Sequence, residues 1–177
     1  TPFKVTKNGP VHLFVEDIDQ ALDFYTNKLG LTLTETIEWQ GHNCHFLRTN
    51  TEHHSLGLYP KELRSILGLS DHTSCLSCGF RVHDYQQLLN AIDFLAAEGV
   101  EIKKLPPELS PGMGHTAFAI DPEGHAIQLY HYMEQIGWDG KPCPVNQRPQ
   151  IDNNNWPTGI DMAPNMFGGE VFLGPWA

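Results

Sequence analysis

The chain has 177 residues, 21 acidic against 11 basic, with a net charge of -10 and a pI near 5.3. That balance argues against nucleic acid and anionic membrane surfaces as partners, because both are held by basic patches. No apolar run approaches the roughly 18 residues of a membrane span, and no signal-peptide pattern is present.

Residues 1–9 read as a polar leader. Val11 to Val15 is a short apolar run with β-branched ends and predicts a strand. Asp17 then opens a helical pattern through Ile18, Ala21, Leu22, Phe24, Tyr25 and Leu29, closed by Gly30. Leu31 to Trp39 alternates as a strand, and Cys44 to Arg48 reads as another. A turn at Asn50 to Glu52 leads into a strand at His53 to Tyr59. Pro60 to Ser70 is a connector with some helical character, ended by Gly68.

The order then begins again. Leu76 to Val82 predicts a strand, and Asp84 caps a helix through Leu88, Leu89, Ile92, Leu95 and Ala96 to Gly99. Val100 to Leu105 and His115 to Ile120 read as strands around a Pro/Gly-rich loop, Pro106 to Gly114. This loop is read either as a mobile lid, through its permissive glycines, or as a plain connector. Asp121-Pro122-Glu123-Gly124 is a tight turn feeding a strand over His125 to His131. There Ile127 and Leu129 share one face while Gln128 and Tyr130 share the other.

The two halves can be laid on each other. Val15-Glu16-Asp17 matches Val82-His83-Asp84, Gly30-Leu31 matches Gly99-Val100, and Asn50 to Tyr59 matches Asp121 to Tyr130 without a gap. Residues 133–177 depart from the pattern. They are rich in Pro, Gly and Asn, but Trp138, Trp156, Trp176, Phe167 and Phe172 predict a tail that packs on the domain, since aromatics bury large areas, against the alternative of a disordered or partner-binding segment. Cys44, Cys75, Cys78 and Cys143 make no disulfide scaffold, and Cys75-x-x-Cys78 is half a zinc spacing without a partner pair. They read as reduced thiols of a cytoplasmic protein. The chain begins with Thr1, so an unseen preceding N-terminal module is one expectation, and a homodimer is another.

Two βαβββ modules with a D-P-x-G-x-x-I-x-L-Y ending resemble the vicinal-oxygen-chelate superfamily of glyoxalases, bleomycin-resistance proteins and dioxygenases. The likeness is carried by Val15 to Leu31 and by Asp121 to Tyr130. Phe46 to Leu58, with its paired His53-His54, is similar to the catalytic domain of the type I extradiol ring-cleaving dioxygenases. The resemblance implies an α+β fold in which the modules, 9–60 and 74–132, form one half-open barrel domain over 9–132, with 133–177 as an irregular packed tail. It also implies a divalent metal, Fe(II) in the dioxygenases, held by two His and one Glu. Counted from Val15, Val82 and Asp121, those three ligand positions fall on Pro10, Ser77 and Gln128. None is an anionic or imidazole donor, so no cofactor is expected. Ligation displaced to His12, with His54 and Gln128, stays open.

The resemblance gives His54 the place of an acid–base or hydrogen-bonding residue, and Phe118 the place of a proton-donating Tyr. His12 and His54 are therefore the catalytic candidates, each against the alternative of a structural His. Ser77, Arg81, Gln128 and Tyr130 are ligand-binding candidates, with Arg81 read as either a carboxylate clamp or half of a salt bridge, to Glu16 or a similar acid. His42, His53, His72, His83 and His115 read as surface or turn residues. Three functions are carried. The first is a metal-free protein that binds or transforms a small aromatic or oxygenated ligand. The second is an Fe(II)-dependent extradiol dioxygenase with a rearranged site, and the third a non-catalytic binding protein of the bleomycin-resistance type.

Overall fold

A computed structural model describes residues 1–160 apart from 29, 70, 71, 73, 121–123 and 138. The turn at Asp121 to Glu123 and the tail aromatics Trp138, Phe167, Phe172 and Trp176 lie outside the described residues. Eight strands form one mixed sheet: β1 Val5–Val15, β2 Thr32–Trp39, β3 His42–Arg48, β4 Leu56–Pro60, β5 Cys75–Val82, β6 Ile102–Lys103, β7 Thr116–Ile120 and β8 Ala126–Tyr130. Three α-helices accompany them: α1 Ile18–Asp23, α2 Leu63–Leu67 and α3 Tyr85–Ala97.

The strand order is β2-β3-β4-β1-β5-β8-β7-β6, which reads as the same four-strand unit laid out twice and joined back to back. Within each unit the first and last strands run parallel, β1 with β4 and β5 with β8. The seam between units is the antiparallel pair β1–β5. This is the tandem βαβββ architecture expected from the repeat.

Several element boundaries differ from the sequence reading, among them β4, which begins at Leu56 and not at His53. β1 begins at Val5, so residues 5–9 are not a leader but the outer half of the seam, paired to β5 from Val82 to Phe80. Polar residues on a strand that lies against its twin satisfy their backbone without supplying an apolar signal. The first helix keeps α geometry only to Asp23 and continues as a π-helical turn over Phe24–Lys28. The strand expected over Val100 to Leu105 shrinks to Ile102–Lys103 at the sheet edge. The helix caps follow the sequence: Asp17 accepts from the Gln20 amide at 2.9 Å and Asp84 from the Gln87 amide at 2.8 Å.

Alternation then sorts the side chains. Leu129 packs with Val82, Tyr85, Leu88 and Ala91 against α3, and Ile127 joins them. Gln128 and Tyr130 point to the other face, as read from the sequence. The second face carries Phe14, Phe46, Tyr59 and Phe118 in one buried cluster. The described part of the tail lies along both faces. Trp156 and Ile160 pack beside α3, and the Asn153 amide donates to the Leu105 carbonyl at 2.7 Å. Glu52 and Gln135 form an isolated antiparallel bridge. Among the described residues no helix is long and apolar enough to cross a membrane.

Candidate functional site

β1 sends Pro10, His12 and Phe14 to the buried face of the barrel and leaves Val11 exposed. His12 stands directly opposite Ser77 on β5 and Gly57 on β4. Its Nδ1 lies 2.7 Å from Ser77 Oγ, and its Nε2 lies 3.2 Å from His54 Nε2. Both ring nitrogens are therefore engaged, with the Tyr59 ring edge-on at 5.5 Å. His12 is 1 % exposed. Burial pushes its pKa down to about 3, so the ring is neutral at ordinary pH. Burial also holds His54 well below the usual imidazole range, with the neighbouring His53 and His12 adding to it.

The glycine opposite His12 is what makes room for the ring. A Cβ on Gly57 would lie 2.4 Å from His12 Cδ2 and 3.0 Å from Tyr59 Cε2. Gly57→Ala is expected to displace His12 from Ser77 or from His54 and to cost about 1–3 kcal/mol, the usual range for overpacking a core. Urea denaturation measures this, and an unchanged midpoint would mean that the ring yields without loss.

The three positions that the resembled family uses for its metal share this face. A Cβ on Gly79 would lie 2.4 Å from Gly9 O and 2.7 Å from Pro10 Cδ, so Pro10 sits against Gly79. Gln128 is the β8 partner of Gly79, and Ser77 lies two residues along β5. The positions converge, but their donors do not suit a hard dication, which needs anionic or imidazole ligands. Gln128 is fully buried. Its Nε2 donates to Ser110 Oγ at 3.2 Å and Thr116 Oγ1 at 3.0 Å, and faces Met113 Sδ at 3.6 Å. Its Oε1 has no partner among the described residues. No group of three or more His, Cys, Asp or Glu among the described residues could hold a metal ion. The residues present therefore do not fit a two-His, one-carboxylate centre.

The other candidates divide. Tyr130 is buried beside Met113 and Met133, and burial first, then Glu52, raises its phenol far above the usual range. Arg81 is at the far end of β5, where its Nε donates to the His131 carbonyl at 3.1 Å. Glu16 is engaged by Lys61 instead. Phe118 is buried in the core cluster.

His53 is not a surface residue. It is fully buried. It stands in the segment before β4, and its backbone amide donates to the Glu134 carbonyl at 2.7 Å. Its Nδ1 lies 2.9 Å from His54 Nδ1, and its Nε2 lies 2.5 Å from Glu35 Oε1 on β2. Arg148 from the tail meets the same Glu35 oxygen at 2.8 Å. Burial alone would raise the Glu35 pKa; the His53 and Arg148 contacts outweigh it and hold the carboxylate ionised. Sequence reading missed Glu35, His53 and Arg148. The one signal was the His53-His54 pair itself.

The loop Pro106 to Gly114 covers this face. The Tyr59 hydroxyl donates to the Leu109 carbonyl at 2.7 Å, and a Cβ on Gly112 would lie 2.5 Å from His53 Cγ. Ser110 and Met113 of the same loop contact Gln128. A separate hollow of about 520 Å³ opens beside α1, lined by Val15, Glu16, Asp17, Gln20, Ala21, Phe24 and Tyr25. It holds none of the histidines.

Comparison with known proteins places these features in a family. The model of the glyoxalase/bleomycin resistance protein/dioxygenase superfamily matches residues 7–129. A protein named "probable lactoylglutathione lyase" from Vibrio cholerae is 27% identical over 120 residues, covering 66% of this chain and 84% of that protein. Homoprotocatechuate 2,3-dioxygenase from Arthrobacter globiformis superposes with a TM-score of 0.61 at 20% identity, over 75% of this chain and 38% of that one. An extradiol ring-cleaving dioxygenase from B. fuscum superposes with a TM-score of 0.59 at 20% identity, over 72% of this chain and 33% of that one. The chain thus spans 38% and 33% of the two dioxygenases, and at this identity the likeness is one of fold.

Proposed function

The chain belongs to the glyoxalase/bleomycin resistance protein/dioxygenase superfamily, and from that premise we propose that it binds or transforms a small aromatic or oxygenated ligand inside the barrel without a metal. The observation that carries this reading is the His12 constellation. Where relatives would place two imidazoles and a carboxylate, this chain has a proline, a hydroxyl and an amide, and the nearby imidazole is tied to Ser77 at 2.7 Å and to His54 at 3.2 Å. A neutral imidazole beside a hydroxyl suits proton transfer. Gln128 Oε1, buried and unpartnered among the described residues, is the acceptor that would orient a ligand hydroxyl. In this reading the Pro106 to Gly114 loop lifts to admit the ligand, since its side chains fill the space above Gln128 and His53.

A second reading has one observation in its favour. His12 Nε2 and His54 Nε2 face each other at 3.2 Å, a separation that a shared cation could also produce. That is the Fe(II)-dependent dioxygenase with a rearranged site. It needs a third donor of carboxylate or imidazole type, and the described residues bring none to this point.

Metal analysis after anaerobic incubation with Fe(II), followed by calorimetric titration with catechol in the presence of a chelator, tests the proposal. Substoichiometric metal with binding that survives the chelator, and that His12→Ala weakens at least tenfold, is the expected result. Stoichiometric iron with binding that requires it would overturn the reading in favour of the second. If the protein also turns a ligand over, His54→Ala abolishes turnover in an enzyme and alters only affinity in a binding protein.

A further inference from the structure

Five side chains are joined end to end under the loop. Ser77 Oγ meets His12 Nδ1 at 2.7 Å, His12 Nε2 meets His54 Nε2 at 3.2 Å, His54 Nδ1 meets His53 Nδ1 at 2.9 Å, and His53 Nε2 meets Glu35 Oε1 at 2.5 Å. Every imidazole nitrogen of His12, His54 and His53 is engaged within this row. Ser77, His12, His54 and His53 are at most 1 % exposed. The Glu35 side chain is 11 % exposed and its partner Arg148 18 %, so only this end touches water.

We propose that Ser77, His12, His54, His53 and Glu35 form a buried proton relay that takes a proton from a hydroxylated ligand at Ser77 and delivers it to the surface at Glu35. This assignment rests on the metal-free reading above. The direction follows from proton counting. A neutral ring carries one N–H and one lone pair. Glu35, paired with Arg148, accepts and cannot donate, so His53 Nε2 carries its ring's proton. His53 Nδ1 is then an acceptor, and His54 must present Nδ1–H to it. His54 Nε2 is in turn an acceptor, so His12 presents Nε2–H. His12 Nδ1 is left with its lone pair facing Ser77, which donates. One anionic terminus thus orders every proton in the row.

The transfer balances without a co-reactant. The ligand hydroxyl gives its proton to Ser77 Oγ as Ser77 gives its own to His12 Nδ1. His12 passes its Nε2 proton to His54 Nε2, His54 its Nδ1 proton to His53 Nδ1, and His53 its Nε2 proton to Glu35. The ligand is left as an oxyanion, each ring is neutral in its other tautomer, and Glu35 releases the proton to water. Glu134, whose Oε2 is 3.9 Å from His53 Nε2, is too distant to be a link in the row. Only Ser77 would touch the ligand; His12, His54, His53 and Glu35 act through it. The ligand class this suits is a weak oxygen acid, a phenol or an enol.

The test needs no ligand. Two-bond proton–nitrogen correlation on chelator-treated, nitrogen-15 histidine-labelled protein at neutral pH reads each tautomer directly. The relay requires Nε2–H at His12, Nδ1–H at His54 and Nε2–H at His53. The reverse order at His12 and His54, a mixture, or a doubly protonated ring would overturn it. In Glu35→Gln the terminal group presents either an oxygen or an NH2, so the ordering is lost, and both tautomers are expected at His12 three hydrogen bonds away. An unchanged His12 in a folded Glu35→Gln protein would show that the row is structural only. Failure of the metal-free reading looks different. Iron seated between His12 and His54 gives Nδ1–H at both rings, appears only in the untreated protein, and comes with stoichiometric metal, which would overturn relay and reading together.

Discussion

Between neutral pH and about pH 5 the folded protein is expected to lose a large part of its stability. Three buried imidazoles are responsible. Burial pushes His12 down to about 3 and His131 to about 4, and it also lowers His54 well below its usual value of 6.5. A group whose folded pKa lies below its unfolded pKa binds more protons when unfolded. Its stabilisation is fully present above the unfolded pKa near 6.5 and shrinks as pH falls, levelling only below the folded pKa. Each pH unit between 6.5 and the folded pKa costs about 1.4 kcal/mol per ring, so by pH 5 His12 and His131 have each withdrawn about 2 kcal/mol, and His54 adds to the loss in the same direction. Together this is a large part of the roughly 5–15 kcal/mol that holds a domain of this size. Urea midpoints measured across this range should fall steeply and without a plateau. A flat profile down to pH 5 would mean that these rings are charged, or otherwise held, in the folded state.

His53→Ala is expected to destabilise the protein by about 3 kcal/mol or more. The ring is fully buried, lies beneath Gly112 and packs edge-on to Phe46 at 6.4 Å. Its removal leaves His54 Nδ1 with no acceptor and Glu35 with Arg148 alone. An unfilled volume and an unpaired polar atom each carry a cost in a core. Urea denaturation again provides the measurement. A loss below about 1 kcal/mol would put His53 back among the surface residues of a turn.

That contrast shows where the sequence was legible and where it was not. The repeat could be counted because Val15 and Val82, Gly30 and Gly99, and Tyr59 and Tyr130 recur in register, and the paired units of the sheet follow it. Gln128 and Tyr130 share a face because they lie on a regular strand where alternation applies. His53 and His54 defeated the same rule. They precede β4, which begins only at Leu56, so they are not bound by the period of two and both rings turn inward. Glu35 sits on an edge strand of alternating polar residues, and its partner Arg148 is 113 residues away. No local pattern marks such a pair. The place of His12 was half legible. Counting puts the family's ligand position on Pro10 and not on His12, and the register shift between Asn8 and Val11 is what sets His12 opposite Ser77.

Two glycines on the inner strands mark a difference between the halves of the molecule. In the first half an imidazole on the opening strand stands beside glycine on the closing strand, His12 with Gly57. In the second half the arrangement is inverted, Gly79 beside the amide of Gln128. Each half kept one bulky polar group and surrendered the other, and the choice was opposite. Neither could now be swapped for a duplicate of its sibling, since two copies of the first would bring a pair of rings and no amide, and two copies of the second would bring neither ring. The two halves repeat in backbone and differ inside, and the buried polar groups of the barrel need both.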